Sequence, residues 1–546
     1  MRKVQTRVAA LAVTIVLCAL SGGEVRGQAN TAAEVVQAAG TAMGGADKLK
    51  AVRNITLRGY GMYVYQNGAG RITGEPEAPE KYIAANDMER IYDLEHNRLR
   101  ISERRNNLFP FLGIDAHAWN QQVQGLDGDT LVNVQQARAV RGATGGEQAR
   151  QRRIWLWNNP AAMIRAMMDS SARLSTPRRE GAVQVIDVTL ANGDTFSTAF
   201  RADNLPAWIR WVQPVSSFGQ LTFTTHFTGW ADASGTAGFL LPLGYVTRQD
   251  YRNVDFLKIY VDAYSVDTQI PDLSAPAATP AQTQGGPGGG GRAGGPGGAA
   301  APITSKQIGK GIWRVDQGGT MVIEFADHLV IYELNINVDT AKRVLAHARS
   351  LAPGKPIRYY VTSHNHQDHT NGMRQAVAEG ITVVQRKGSE TQLREMAEHR
   401  APDYPDDQER NRAPFTFLAV DTHLRMSDAT QTIDIYAVPQ NGHMADAIIV
   451  YIPSEKMMME GDLVSASLQL QHWPDGFRDV IARYKLDVEW VAPVHPDALQ
   501  PGQGKYTKAY VEEFLKAGTD RAREHCKKWL DVGVYHSGCP VQTKYY

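Results

Sequence analysis

The sequence predicts a two-domain α+β protein: a β-rich N-terminal unit joined by a flexible linker to a C-terminal unit of alternating strands and helices. Three observations carry this. The chain of 546 residues exceeds what one ordinary core accommodates. Residues 274–302 contain Gly285-Gly-Pro-Gly-Gly-Gly-Gly-Arg-Ala-Gly-Gly-Pro-Gly-Gly, a composition that cannot build a packed core. On either side of it the apolar pattern differs: period two and β-branched before, strand-length runs mixed with helical period after.

The first 27 residues read as a secretory leader. Arg2, Lys3 and Arg7 precede an apolar stretch over 8–20, and small residues follow toward Gly27-Gln28-Ala29. That stretch is short of the ~20 apolar residues a membrane span needs. The reading places the mature protein in the periplasm or outside the cell, with no integral membrane span. Formal charge is +1 for the whole chain and −2 without the leader, so nothing points to nucleic acid or an anionic surface. Cys526 and Cys539 remain after cleavage, and an oxidising compartment would let them pair. Closing that loop would stabilise the tail by about 3 kcal/mol in the chain-entropy picture.

The N-terminal unit, 28–273, opens with a helix over 31–43 stopped by Gly44-Gly45. Strand patterns follow at 55–65, 183–190, 195–199, 221–227 and 256–266, with a second helix near 161–168. Asn192-Gly193 marks a hairpin. Trp208, Trp211, Phe223, Phe227 and Trp230 read as core. The opening Gly44-Gly-Ala-Asp-Lys-Leu-Lys-Ala-Val-Arg-Asn-Ile-Thr-Leu-Arg-Gly, with Asn204-Leu-Pro206 and Leu241-Pro242, resembles the periplasmic lipoprotein-carrier fold. That resemblance implies a curved antiparallel sheet wrapped on helices.

The C-terminal unit, 303–505, begins with strands at 313–315, 321–325 and 329–334. Asp339 is the expected cap of a helix whose apolar face is Ala341, Val344, Leu345, Ala348 and Leu351, stopped by Pro353-Gly354. A buried strand over 357–362 leads into His364-Asn-His366-Gln-Asp368-His369, placed on the turn that leaves it. A helix over 371–379 and strands at 381–384, 432–438, 447–452, 456–460 and 490–493 complete the pattern, before a terminal helix and tail over 506–546. Met457-Met-Met459 reads as core strand.

Three histidines and an aspartate within six residues can direct several ligand atoms at one or two metal ions. Three further residues sit at strand ends, where loops carry chemistry: His443 after Gly442, Asp462 after Gly461, and His495. His328, His399, His423 and His472 match no ligand position; His472-Trp473-Pro474 is a candidate for the pocket mouth.

Taken in order, His364, His366, Asp368, His369, His443, Asp462 and His495 resemble the metallo-β-lactamase superfamily over residues 307–497. The resemblance implies an αββα sandwich with a dinuclear zinc site at one edge. His364, His366 and His443 would hold one ion; Asp368, His369 and His495 would hold the second; Asp462 would bridge. Imidazole and carboxylate donors suit zinc, and manganese or iron could also be admitted. A metal-bound hydroxide would then attack a carbonyl or phosphoryl centre, with Asp368 the catalytic residue that orients it or moves its proton. Asp462 resembles the lactonase and glyoxalase-type branches, where β-lactamases proper carry cysteine or serine. The expected function is an exported zinc hydrolase of a small ester, lactone or lactam. The alternatives are a β-lactamase proper, or an envelope protein whose N-terminal sheet holds a lipidic partner. The sequence sets no oligomeric state.

Overall fold

In a computed structural model of the chain, the described residues are 31–65, 80–107, 120–135, 138–232, 238–277, 302–439, 445–464, 473–495, 499 and 504–531. The leader, most of the linker, His443, His472 and Cys539 lie outside them, as does the side chain of Cys526.

The first helix is Ala32–Ala42. Thr31 and Glu34 form a reciprocal capping box, satisfying donors that the first turn leaves open. Val35, Val36 and Ala39 turn its buried face toward a 14-stranded sheet. Every pairing in that sheet is antiparallel. The expected strands are there, as Asn54–Val64, Val183–Thr189, Thr195–Phe200, Gly219–Asp232 and Asp255–Val266. Strands Tyr82–Asp93, Arg98–Asn107, Asn120–Asp127, Thr130–Gln135 and Arg138–Thr144 were not foreseen. Helices Gly146–Trp157 and Pro160–Met167 pack under the sheet through Ile154, Leu156, Met163 and Ile164. Trp208, Trp211, Phe223 and Phe227 are buried, as core residues should be.

After the linker come a seven-stranded sheet and a six-stranded sheet. Ile323, Val330 and Val361 of the first meet Ile433, Ile448, Val450, Met457 and Ala492 of the second in one buried cluster. Burying each such side chain contributes about 1.5–3 kcal/mol before entropy is counted. Helices Val338–Leu351 and Met373–Ala378 share a core with the other face of the first sheet through Val344, Leu345 and Met373. Helices Trp473–Tyr484 and Lys508–Asp531 pack on the second through Phe477, Val480, Val511 and Leu515. Strand Tyr506–Thr507 pairs with Trp490–Pro493, so the six-stranded sheet continues past residue 505.

Two local expectations are corrected. The helix cap is Asn337, whose side chain accepts from Thr340 N at 2.9 Å; Asp339 lies inside the first turn. The segment expected as one helix over 371–379 is preceded by a short helix Gln367–Thr370, with Gly372 leading into Met373–Ala378. Asp368 and His369 therefore ride on a helical turn rather than on an open loop.

The two halves touch. The turn between strands Pro206–Val215 and Gly219–Asp232 enters the C-terminal half. Ser217 Oγ donates to Asn371 Oδ1 at 2.8 Å, and Phe218 stacks edge-on to His399. Gln220 Nε2 donates to Asp403 Oδ2 and its Oε1 accepts from Asp403 N, both at 2.9 Å. Gly219, with φ +78°, is irreplaceable on space alone: a Cβ there would stand 2.6 Å from Ala401 Cβ and 3.0 Å from Arg374 Nη2. Arg374 is fully buried and anchored by Asp406 and by the carbonyls of Met396, Ala397 and His399. Among the described residues, no helix is long and apolar enough to cross a membrane.

Candidate metal centre

The site forms where three strand ends of the C-terminal half meet. Strand Ile357–Val361 delivers His364 and His366, and the helical turn after it delivers Asp368 and His369. Strand Met457–Glu460 ends at Gly461-Asp462, and strand Trp490–Pro493 ends near His495. Gly461 lets the first two approach: a Cβ on it would lie 2.2 Å from Ser363 Oγ. Glu460, fully buried, accepts from Leu463 N at 2.7 Å and Val464 N at 3.1 Å, fixing the turn that presents Asp462. Burial holds the Glu460 carboxyl well above the usual range, against the pull of those backbone donors.

Six of the seven expected ligands converge, and His443 lies outside the described residues. They form two groups that share Asp462: His364, His366 and Asp462; and Asp368, His369, Asp462 and His495. Within each group the donor atoms lie within 4.8 Å of one another. His364 Nε2 faces His366 Nδ1 at 2.8 Å, and His495 Nε2 faces His369 Nε2 at 3.3 Å. Asp462 stands between the groups, Oδ1 at 2.9 Å from His369 Nε2 and 3.3 Å from His495 Nε2, Oδ2 at 3.6 Å from His364 Nε2.

The far nitrogens are held from behind. Ser363 Oγ is 2.9 Å from His364 Nδ1. Glu333 Oε2 is 2.8 Å from His369 Nδ1, and Glu333 Oε1 accepts from Ser363 N. Glu333 is fully buried and takes a left-handed backbone conformation, φ +67°. Carboxylates behind a ligating imidazole fix its tautomer and raise its basicity. Burial alone would lower the His369 pKa; Asp462, then Glu333 and Asp368, override it and raise it well above the ordinary value.

This donor set fits a metal ion. Imidazole nitrogens at hydrogen-bond distance from one another, grouped about a shared carboxylate, are what zinc takes. Asp368 Oδ1 adds a buried oxygen with no hydrogen-bond donor among the described residues.

Two residues of the site were not found from sequence. Glu333 ends an otherwise apolar run, Leu329-Val-Ile-Tyr332, and a lone acid in that place was the available signal. Lys81 comes from the N-terminal half and is 4% exposed. Its Nζ stands 3.5 Å from His366 Nε2, and its backbone carbonyl accepts from Tyr65 N at 2.8 Å. Burial pulls its ammonium down to about 7, with the Asp368 charge opposing the shift. Three other histidines of this half have partners elsewhere: His328 stacks on Phe325, His423 pairs with Asp434, and His399 sits at the contact between the halves.

No protein-family model matches the sequence, and no curated protein matches it either. Similar solved structures are metallo-β-lactamases. That from Pontibacter korlensis is 17% identical, over 40% of this chain and 99% of its own, with a TM-score of 0.31. FIM-1 from Pseudomonas aeruginosa, in a mono-zinc form, is 19% identical over 41% and 97%, with a TM-score of 0.30. That from Hirschia baltica is 18% identical over 40% and 98%, with a TM-score of 0.29.

Proposed function

We propose that this chain is an exported metal-dependent hydrolase with a dinuclear zinc centre, acting on the C–O or C–N bond of a small ester, lactone or lactam. The observation that carries the reading is the pair of donor groups meeting at Asp462. On this reading the C-terminal half is an αββα sandwich that begins at 303 and continues past 505 through strand Tyr506–Thr507 and helix Lys508–Asp531, the N-terminal half is a separate domain over 28–273, and residues 1–27 direct the chain to the periplasm or beyond. Cys526 and Cys539 pair in the tail.

His364, His366 and, by its place in the motif, His443 would hold one ion; Asp368, His369 and His495 the other; Asp462 both. When bound, zinc supplies Lewis acidity, which makes water nucleophilic near neutral pH and polarises a carbonyl. The residues do the rest. Ser363 and Glu333 fix which nitrogens of His364 and His369 face inward. Asp368, its side chain 39% exposed, lies where water and substrate arrive, and orients the attacking water or takes its proton. Asp462 keeps the two groups at one spacing, so the substrate oxygen and the attacking oxygen are held at fixed positions.

The test is metal analysis of the purified mature protein with a substrate panel of lactones, esters, β-lactams and phosphodiesters. Two zinc ions per chain and turnover of a lactone, ester or lactam are expected. A metal-free protein, or turnover of phosphodiesters alone, would overturn the reading.

A further inference from the structure

We propose that the N-terminal half clamps the metal centre: Lys81 and Ser217 grip the two ends of the helical turn that carries Asp368 and His369, so that metal binding and docking of the halves are coupled. The inference rests on the metal-centre reading above and adds two positioning residues to it, neither of them a ligand.

The clamped element is Gln367–Thr370, with His366 as its N-cap residue and Asn371 as its C-cap residue. A helix of one turn is not stable on its own, so outside contacts must hold it. Two of them come from the other half of the chain. At the N-cap end, Lys81 Nζ stands 3.5 Å from His366 Nε2. At the C-cap end, Ser217 Oγ donates to Asn371 Oδ1 at 2.8 Å. Both are sealed from solvent: Lys81 is 4% exposed and Ser217 0%. Each is anchored in turn. The Lys81 carbonyl accepts from Tyr65 N at 2.8 Å, and its ammonium lies 5.2 Å from the centre of the Tyr65 ring. Tyr65 and Ile83 pack against Tyr436, Val438 and Phe477 of the C-terminal core. Ser217 lies on the turn that Phe218 and Gln220 hold against His399 and Asp403.

His366 shows what the first contact does. Its Nδ1 faces His364 Nε2 at 2.8 Å, so Nε2 is its outward nitrogen, and Lys81 backs that edge. The last torsion of a histidine side chain has broad wells, so the ring's rotation is set by what stands behind it. Ser363 and Glu333 stand behind His364 and His369 in the same way, but from the C-terminal half. Withdrawing the N-terminal half would loosen His366 and remove the hydroxyl donor from Asn371. The ligand-bearing turn would then be less well held at both ends. Coupling of this kind is reciprocal: docking strengthens metal binding by the same factor as metal binding strengthens docking.

The experiment uses the full-length protein and reads the coupling in both directions, with circular dichroism to confirm the fold of each variant. In the first direction, zinc retention is measured by competition with a chelator. Lys81→Met and Ser217→Ala are each expected to weaken it at least ~5-fold, and Ser217→Thr, which keeps the hydroxyl, to restore part of it. In the second direction, hydrogen exchange is followed at Phe218 N, which donates to Val215 O in a turn that carries none of the ligands. Zinc should slow this exchange at least ~5-fold in wild type, and by less in Ser217→Ala. A folded Lys81→Met or Ser217→Ala variant that retains zinc as wild type does, or an exchange rate that zinc leaves unchanged, overturns the inference while the metal-centre reading stands. A wild-type protein that holds no zinc overturns the metal-centre reading itself, and this inference with it.

Discussion

The two donor groups are built differently. In the first, His364 and His366 are 1% and 0% exposed, and they stand on one short loop behind a buried strand. In the second, the side chains of Asp368 and His495 are 39% and 26% exposed, and only His369 is sealed. One group is closed and positioned by packing. The other opens to solvent and depends on a carboxylate, Glu333, to hold its one buried imidazole. On the proposed function, the closed group would hold the site together and the open group would meet substrate. An open position is what separates a catalytic metal site from a structural one.

The largest effect should come from the residue common to both groups. Asp462→Ala is expected to reduce bound metal to about one ion per chain and to lower turnover at least ~10²-fold, read by metal analysis and by kcat. Unchanged stoichiometry would remove Asp462 from the centre and end the comparison. Next, His495→Ala should lose metal from the open group while the melting temperature stays near wild type. His364→Ala should lose metal from the closed group and also lower the melting temperature, because it leaves a cavity and unpaired neighbours in a buried loop. Equal thermal behaviour of the two variants would show that the groups are not distinct in this way.

A smaller effect tests the support behind each group. Glu333→Gln is expected to weaken retention of the second metal ~10–100-fold in a chelator competition, with the fold intact. Ser363→Ala, which removes a neutral partner of His364 at 2.9 Å, should weaken retention at the closed group by no more than ~10-fold. If Ser363→Ala costs as much as Glu333→Gln, the charge on Glu333 is not what sets the open group apart.

Much of the centre was legible because its signals are local. Strand Trp490–Pro493 matched its apolar run, and the cluster from His364 to His369 lies within six residues. The helix cap was missed by two positions, since Asn337 and Asp339 are both good cap residues and only geometry separates them. Strands 98–107, 120–127 and 138–144 were missed for another reason. They are rich in Arg, Gln and Asn: residues 138–144 bury almost nothing, 120–127 show no alternation, and the alternation of 98–103 rests on two apolar residues alone, Leu99 and Ile101. Their pairing is set by neighbours in the sheet. Lys81 was beyond any local signal: it meets His366 across 285 residues of sequence, and only tertiary packing brings the two together.

The seat of Gly219 against Ala401 and Arg374 has a practical consequence. A protease that cuts the glycine-rich tether would produce a nicked complex, not two free proteins, because the halves are joined by contacts the tether does not supply. Genes for the two fragments, expressed together, should therefore complement each other. The tether's remaining service is to keep the fragments at millimolar effective concentration, so that dilution does not part them.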